Sequence, residues 1–290
     1  MTQLMKRWQL SAFGTENLHI ADVPLPEPGF NELLIKVSAV SLNYRNKLVL
    51  EGKLLPDVPK MPFTPVSDMM GVVVSAGPGV SRFRPGDRIV GNFWTQWLDG
   101  DAPEDMVRHG RSLGGPLPGM LSEYVVLYED MAVASPGNLS EEEASTLPVA
   151  ALTAWFALVE TGKIRRGQKV LVQGTGGVAL AGLQLARAFG AEVTVLSRSE
   201  EKLQRAKSLG AAHLINIRTV PEWSKQADEI TGGHGFDHIL ELIGGDNLRH
   251  SADALAPGGV LRRLVSWEGT KLFFQQFLLC LKEPLFRESP

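Results

Sequence analysis

Hydrophobic and polar positions follow two different patterns along the chain, and the pattern changes near residue 140. Before that point, short apolar runs are separated by turn clusters rich in proline and glycine, such as residues 24–29 and 84–87. Many short strands divided by such turns are typical of a barrel-like or sandwich-like β fold. Residues 92–120 show little periodicity and are predicted to form a long loop or lobe. The predicted strands cover residues 18–23, 33–40, 71–74, 88–90 and 123–127.

Strand and helix patterns alternate in the second part of the chain. Ser140 and Glu143 have the spacing of a capping box, and the acidic residues 141–143 suit the first turn of a helix. The alternation predicts an α/β fold with a doubly wound parallel sheet. We therefore expect a mostly-β domain over residues 1–137 and an α/β domain over residues 138–270. The predicted strands of the second domain cover residues 170–173, 192–197, 213–217, 238–242 and 260–265.

A glycine-dense turn lies between the first strand and the first helical pattern of this second domain. A pyrophosphate must come close to backbone N–H groups at the start of a helix, and side chains on the turn would block that approach. The dinucleotide fingerprint also asks for a small residue three positions after the second glycine, and Ala179 has that spacing from Gly176. The alternative is a glycine-rich turn in an α/β core without a nucleotide. The predicted cofactor-binding residues of the turn are Gly174, Thr175, Gly176, Gly177 and Val178.

The end of the second strand bears on the choice of cofactor. An acidic residue there would bind the ribose 2′-hydroxyl of NAD, but Ser197, Arg198 and Ser199 occupy these positions. A guanidinium pairs well with the 2′-phosphate of NADP, and Lys202 could add a second cation. The alternative is that Ser199 caps the next helix and Arg198 is solvated. We expect NADP (NADPH) to be preferred and keep NAD as the alternative, with Ser197, Arg198 and Lys202 as cofactor-binding residues.

Charge and cysteine content exclude several classes of protein. The net charge of −3 over 290 residues gives no electrostatic reason to expect nucleic acid or an anionic membrane as a partner. Cys280 is the single cysteine, so an internal disulfide and a cysteine-cluster metal site are both excluded. No apolar run approaches the roughly 20 residues of a membrane span. A small-molecule substrate and a cytoplasmic location are expected.

At this point the motifs support a resemblance. The chain resembles the medium-chain dehydrogenase/reductase superfamily, in particular its zinc-lacking branch of quinone oxidoreductases and zinc-free alcohol-dehydrogenase-like reductases. The resemblance implies a GroES-like N-terminal domain, a Rossmann domain and hydride transfer in the cleft between them. The motifs that carry it are SLNYR at 41–45, GVV at 71–73, GPGV at 77–80, RPGDRIVG at 84–91, ALTAW at 151–155, GTGGV at 174–178, ELIGG at 241–245 and PGG at 257–259.

The positions that bind zinc in zinc-bearing relatives hold other residues here. The resemblance places these positions at Leu42-Asn43, at Ser67-Asp68 and in the loop over residues 92–120, which contains no cysteine. Tetrahedral zinc needs three or four converging thiolate, imidazole or carboxylate ligands. The six histidines show no paired ligand spacing in the first domain, although His109 could face substrate. We therefore predict no metal.

Without a metal, hydrogen-bond donors must polarise the substrate carbonyl and a side chain or water must supply a proton. The resemblance implies that Tyr44 donates to the substrate oxygen and that Asn43 orients the substrate or the cofactor amide. The alternative, of equal weight, is that Tyr44 packs at the start of a short helix over residues 44–50. Asn46 stands where the family often has an acid, which leaves the proton path open.

The resemblance adds three cofactor contacts and a function. Thr153 corresponds to a position near the nicotinamide, and Gly244 and Gly245 follow the fourth strand where the backbone nears the cofactor ribose. Ordinary helix and turn roles are the alternative for all three residues. The implied function is an NADPH-dependent, zinc-independent reductase of ketones, aldehydes, quinones or activated enones. The rival functions are an NAD-dependent alcohol dehydrogenase and a shortened dinucleotide-binding protein without catalysis.

The C-terminal region carries a separate expectation. Family members continue past this point with a sixth parallel strand and segments that return to the first domain, and both are predicted to be absent here. Arg262 and Arg263 suit an exposed sheet edge better than a covered one. The tail, residues 271–290, is predicted to form a short amphipathic helix that packs on the sheet edge or on another subunit of a homodimer. Weak turnover is expected. Its apolar stripe is Phe273, Phe274, Phe277, Leu278 and Leu281.

Overall fold

A computed structural model describes residues 3–54, 60–95, 97–101 and 110–264. The described residues fall into two compact units, which divide between Val149 and Ala150. The first helical turn after the predicted boundary at residue 137 packs on strands of the first unit. The predicted tail helix, residues 271–290, lies outside the described residues.

The first unit is built from antiparallel strands. A hairpin pairs β1 with β2, and a five-stranded sheet has the order β6-β3-β4-β5-β7. The strands are β1 (Leu4–Leu10), β2 (Leu18–Pro24), β3 (Glu32–Ser41), β4 (Asp68–Ala76), β5 (Arg88–Gly91), β6 (Tyr124–Tyr128) and β7 (Ala132–Ala134). Two short helices accompany them, α1 (Tyr44–Leu50) and α2 (Glu141–Ser145).

The core of the first unit explains the strand pattern. Leu33 and Ile35 on β3 and Met69 on β4 are fully buried in one apolar cluster with Ile89 of β5. The five strands predicted for this unit are present, several of them longer than predicted. The strands β1 and β7 were not predicted, because charged residues interrupt the apolar pattern of β1 and β7 has only three residues.

The second unit is a parallel sheet with the strand order β10-β9-β8-β11-β12. The predicted Rossmann-type doubly wound sheet is therefore confirmed. Its strands are β8 (Lys169–Gln173), β9 (Glu192–Ser197), β10 (His213–Asn216), β11 (Phe236–Glu241) and β12 (Leu255–Arg263). Its helices are α3 (Leu152–Trp155), α4 (Gly177–Ala188), α5 (Glu200–Ser208), α6 (Trp223–Thr231) and α7 (Asn247–Asp253), with a π-helical turn at Phe156–Glu160. Another π-helical turn, Leu147–Ala151, spans the division between the two units.

Apolar clusters cover both faces of this sheet. Val170 and Val172 of β8 belong to one cluster, and Leu171 between them belongs to the other. A strand buried on both faces is expected to be continuously apolar, as β8 is. Gly182 on α4 allows that helix to lie close to the sheet, because a Cβ there would come within 2.4 Å of Leu240 Cδ1.

The last described strand corrects two predictions. β12 begins at Leu255 rather than at residue 260, and it includes Pro257-Gly258-Gly259, residue types that are uncommon inside strands. Arg262 does not lie exposed on the edge as expected. Its side chain is buried, and its Nε donates a hydrogen bond to Thr161 Oγ1 at 3.2 Å. A buried guanidinium is tolerated here because the protein supplies an acceptor.

Candidate functional site

The glycine turn after β8 leaves the start of α4 open. Gly174 has a φ of +81°, which favours glycine, and its N–H donates to the Leu196 carbonyl at 2.7 Å. Gly176 is the N-cap of α4, and no side chain caps this helix. A Cβ placed on Gly174 or Gly176 would meet no atom within 4 Å. The start of α4 thus combines a helix N-terminus that no side chain caps with free space beside Gly174 and Gly176, which is the arrangement that an anion such as pyrophosphate requires.

The strand order places this turn at the topological switch point of the sheet. β8 lies between β9 on one side and β11 on the other. In open parallel sheets, ligands bind outside the carboxyl ends of the strands at such a point. A dinucleotide with its pyrophosphate over β8 would extend one half toward the end of β9 and the other half toward the end of β11.

The end of β9 presents two exposed cations. Ser197 is buried, and its Oγ accepts a hydrogen bond from the Ser199 N–H at 3.3 Å. Ser199 caps α5 by accepting from the Lys202 N–H at 3.4 Å, as the alternative interpretation of this segment held. Arg198 and Lys202 are exposed. The serine hydroxyls are engaged with the backbone, whereas the two cations face solvent.

Glu200 is the first acid after β9, and its carboxylate is already engaged. It accepts hydrogen bonds from Gln204 Nε2 at 2.9 Å and from Asn216 Nδ2 at 3.1 Å. These hydrogen bonds lower the pKa of Glu200, so the carboxylate is ionised at neutral pH. Glu200 is thus held toward α5 and β10 by protein partners.

The turn after β11 contains two glycines with positive φ. Gly244 has a φ of +75° and Gly245 a φ of +57°. The Gly244 N–H donates to Glu241 Oε1 at 2.7 Å, which holds the turn against the end of β11. Thr153 lies on α3, a helix that packs on α4, and its side chain is partly buried. The structure thus places Thr153 and the two glycines in the same unit as the turn after β8.

The Asn43-Tyr44 segment begins α1 in the first unit. Asn43 is the N-cap, and its backbone N–H donates to Asn46 Oδ1 at 2.7 Å. The amide oxygen of Asn46 therefore accepts the hydrogen bond that an acid at this position could accept. Tyr44 is the first residue of α1, as the structural alternative proposed, and half of its side chain is exposed.

Asp68 is a buried acid beside Asn43. It is fully buried at the start of β4, and its Oδ2 accepts from Asn43 Nδ2 at 2.9 Å and from the Val149 N–H at 3.2 Å. Its Oδ1 has no hydrogen-bond partner among the residues that the structure describes. Burial raises the pKa of Asp68 to about 6, although hydrogen bonds from Asn43 and Val149 act in the opposite direction. From the sequence, Asp68 was identified only as one of the residues at the zinc-binding positions of relatives, and its link to Asn43 was not predicted.

Arg45 connects α1 to the loop that was predicted over residues 92–120. It is buried and donates to the carbonyl of Gly115 at 2.8 Å, to the carbonyl of Leu113 at 3.3 Å and to Ser112 Oγ at 3.4 Å. Its guanidinium also lies 4.8 Å from the ring centroid of Phe93. Burial lowers the pKa of Arg45 to about 10, which still leaves it charged at neutral pH. The side chain fixes α1, and with it Asn43 and Tyr44, against the loop.

Comparisons with known proteins identify the family. Residues 29–137 match the alcohol dehydrogenase GroES-like domain, and residues 177–288 match the zinc-binding dehydrogenase domain. A zinc-type alcohol dehydrogenase-like protein of Schizosaccharomyces pombe is 41% identical over 264 residues, which cover 89% of this chain and 75% of that protein. The chain belongs to the medium-chain dehydrogenase/reductase superfamily. A chloroplastic quinone-oxidoreductase homolog of Spinacia oleracea is 30% identical over 292 residues, covering 94% of this chain and 81% of the homolog.

Solved structures of the superfamily agree with this assignment. A candidate alcohol dehydrogenase from Sinorhizobium meliloti 1021 is 50% identical, with a TM-score of 0.84, over 90% of this chain and 76% of that one. An NAD-dependent alcohol dehydrogenase is 36% identical, with a TM-score of 0.80, over 89% of this chain and 76% of that one. The protein is therefore an oxidoreductase of this superfamily, with a GroES-like first unit and a Rossmann-type second unit. Superfamily members bind a nicotinamide dinucleotide, and the open glycine turn after β8 fits its pyrophosphate.

The positions that hold zinc in other superfamily members have a different environment here. Leu42 is exposed, Asn43 is hydrogen-bonded to Asp68, and Ser67 is fully buried beside it. Within residues 3–54, 60–95, 97–101 and 110–264, no three His, Cys, Asp or Glu side chains form a group that could hold a metal ion. His109 and Cys280 lie outside the described residues. The absence of zinc stays a prediction from the residue types at these positions.

A test of the buried Asp68 follows from its two pKa values. The Asp68 carboxyl has a pKa of 3.8 in the unfolded chain and of about 6 in the folded protein. Between these two pH values the folded protein holds a proton on Asp68 that the unfolded chain has lost. Stability therefore falls as the pH rises from about 4 to about 6. Asp68→Asn removes this titration, because its amide oxygen can accept from Asn43 and Val149 while its NH₂ replaces the unpartnered Oδ1. The stability of the variant relative to wild type should be higher at pH 7 than at pH 4 by on the order of 2 kcal/mol.

Denaturant unfolding of both proteins at the two pH values measures this difference. Asp22→Asn is the control, because Asp22 lies on the surface, where it pairs with Lys6. Because this ion pair is exposed to solvent, the control should show a much smaller difference in relative stability between the two pH values than Asp68→Asn does. If Asp68→Asn behaves like the control, the pKa of Asp68 is not raised in the folded protein.

One further finding concerns membranes. Among the helices that the structure describes, none has both the length and the apolar composition needed to cross a bilayer.

Proposed function

We propose that the protein is a zinc-independent reductase that transfers a hydride between NADPH and a carbonyl, quinone or activated enone. The observation that carries this proposal is the uncapped start of α4, where the glycine turn leaves space for a pyrophosphate beside two exposed cations. The quinone-oxidoreductase homolog among the relatives supports quinones as substrates.

The choice of NADPH is supported by the end of β9. A cofactor with its pyrophosphate over β8 brings its adenosine ribose to this strand end, where Arg198 and Lys202 face solvent. A guanidinium forms paired hydrogen bonds with phosphate oxygens, which favours a 2′-phosphate. The acid that NAD would need is not available, since Glu200 is bound to Gln204 and Asn216.

The chemistry assigned to the protein is orientation and proton donation. A bound NADPH would supply a hydride to the carbonyl carbon of an aldehyde or ketone, or to the β-carbon of an enone. The negative charge that then develops on the substrate oxygen, as alkoxide or enolate, is neutralised by a proton that we assign to the Tyr44 hydroxyl. Asn43 is held in one orientation by its hydrogen bond to Asp68 and directs its amide toward the substrate or the nicotinamide carboxamide. The zinc-ligand positions hold Leu42, Asn43, Ser67 and Asp68, so hydrogen bonds replace a Lewis acid in this proposal.

Arg198→Glu tests the assignment of the 2′-phosphate contact. Reversal of this charge should weaken NADPH binding by on the order of 2 kcal/mol, because a charged hydrogen bond is lost and a repulsion is added. Binding of NADH should be unchanged. Lys225→Glu, an equal charge reversal on the exposed surface of α6, is the matched control and should affect neither cofactor. Titration by nicotinamide fluorescence measures both affinities, and an equal loss for NADPH and NADH would show that Arg198 has a structural role.

The proposed function is tested by binding and turnover in one preparation. The metal content is measured first, and about one zinc per chain after mild chelation would contradict the zinc-independent reaction. The protein is then titrated with NADPH and NADH and assayed with panels of quinones, enones and aldehydes. NADPH oxidation with any of these substrates supports the proposal.

An NAD-dependent alcohol dehydrogenase is the second candidate function. A solved relative with that cofactor, 36% identical to this chain, favours it. Binding of NADH without NADPH, together with oxidation of alcohols, would select this candidate. Binding of either cofactor without any turnover would instead indicate a dinucleotide-binding protein.

A further inference from the structure

A buried carboxylate at the end of β11 organises the turn that follows it. Glu241 is fully buried. Its Oε1 accepts hydrogen bonds from the N–H groups of Ile243 at 2.9 Å and Gly244 at 2.7 Å. Its Oε2 accepts from Asn247 Nδ2 at 3.0 Å and from the Ser251 hydroxyl. One side chain thus fixes both the Gly244-Gly245 turn and the helix α7 that comes after it.

The same network reaches the end of β8. Gln173 is buried at the last position of β8, where its Oε1 accepts from Asn247 Nδ2 at 2.9 Å and its Nε2 donates to Ser251 Oγ at 2.7 Å. Gly174, the first residue of the glycine turn, follows Gln173 directly. The carboxyl ends of β8 and β11 and the helix α7 are therefore tied together by hydrogen bonds beneath the switch point.

Glu241 accepts every hydrogen bond that the described residues make to its side chain, and two of the donors are backbone N–H groups that cannot reverse their polarity. A buried carboxylate is expensive unless such donors surround it, and hydrogen bonds to a charged acceptor are about twice as strong as neutral ones. An amide in the same place would turn one NH₂ group toward a donor. A carboxylate is thus specifically suited to holding this turn.

The position of the turn relates it to one half of the cofactor. β9 and β11 lie on opposite sides of β8. With the adenosine half over the end of β9, the nicotinamide half must extend over the end of β11, about 5 Å from β8. The Gly244-Gly245 turn is the backbone at that strand end, and its glycines permit close approach.

We infer that Glu241 is a positioning residue, which holds the Gly244-Gly245 turn in the position where the nicotinamide half of the dinucleotide contacts it. This inference rests on the proposed function. Gln173, Asn247 and Ser251 assist by holding the carboxylate in place. Glu241 acts through the turn and does not contact the cofactor itself.

Glu241→Gln separates this role from a general structural one when two ligands are compared. NADPH contains both halves of the dinucleotide, whereas adenosine 2′,5′-bisphosphate contains only the half that lies over β9. The variant should bind NADPH about tenfold more weakly, because the turn loses hydrogen bonds to a charged acceptor, and should bind the bisphosphate within about twofold of wild type. Isothermal titration calorimetry measures both affinities.

Two further variants keep the experiment decisive. His238→Gln replaces another buried polar residue of the same strand, far from the turn, and should leave both affinities unchanged. Ser251→Ala removes one hydrogen-bond donor from the Glu241 carboxylate. It should weaken NADPH binding about threefold and leave bisphosphate binding unchanged. This variant decides between the two roles of Glu241 if Glu241→Gln does not fold. Equal weakening of both ligands, or no weakening of NADPH, overturns the inference. If the wild-type protein binds neither ligand, the proposed function fails and the inference fails with it.

Discussion

Gly176→Asp should weaken NADPH binding by about two orders of magnitude or more while leaving the protein as stable as wild type. Gly176 has an ordinary φ of −79°, and a Cβ there would meet no atom within 4 Å, so the fold does not require glycine. Aspartate is a favourable N-cap and would stabilise α4 by a few tenths of a kcal/mol. Its carboxylate would occupy the same N–H groups that the pyrophosphate needs and would repel the phosphates. Binding is therefore expected to fall without a loss of stability.

Gly176→Asn is the matched control for charge, because asparagine has the same shape and is also a good N-cap. Gly176→Asn should weaken NADPH binding by a smaller factor than Gly176→Asp does. Thermal unfolding measures stability, and fluorescence titration with NADPH measures binding. Unchanged binding in the aspartate variant would mean that the pyrophosphate does not lie at the start of α4.

Tyr44→Phe should lower kcat by about 10²- to 10³-fold with little change in KM, because a proton donor acts mainly in the transition state. Half of the Tyr44 side chain is exposed at the start of α1, so loss of its hydroxyl should cost little stability. Steady-state kinetics with the best substrate of the panel gives both constants.

Tyr128→Phe is the matched control for Tyr44→Phe. Tyr128 is also 50% exposed and lies in the same unit at the end of β6. This control should retain the wild-type kcat. If Tyr44→Phe also retains it across the pH range, the proton comes from water, and Tyr44 is a packing residue of α1.

The parts of the fold that local sequence determines were predicted well. The turn at Gly174–Gly177 and the capping box of Ser140 and Glu143 depend on neighbouring residues only, and both are present in the structure. The parallel order of the second sheet follows from the alternation of strands and helices. The start of β12 was missed, because Pro257-Gly258-Gly259 normally ends a strand and here continues one with an irregular register.

The buried polar residues could not be predicted in the same way. Asn43 and Asp68 are 25 residues apart in sequence, and Arg45 meets the Gly115 carbonyl across 70 residues. Such contacts depend on how β4 and the loop fold against α1, so patterns of neighbouring residues cannot predict them. Glu241 belongs to the ELIGG motif that was recognised in the sequence. Its role becomes visible only in the structure, where its carboxylate accepts hydrogen bonds both from the turn after β11 and from α7.

The transfer of deuterium from NADPH tests the central claim most directly. NADPH that carries deuterium on C4, on one face or the other in separate samples, is mixed with metal-free protein and the best enone or aldehyde of the panel, because the product of either keeps the transferred deuterium on carbon. One of the two samples should give product with one deuterium per molecule by mass spectrometry. Product without deuterium in both samples, or no NADPH oxidation with any substrate of the panel, would rule out the proposed hydride transfer.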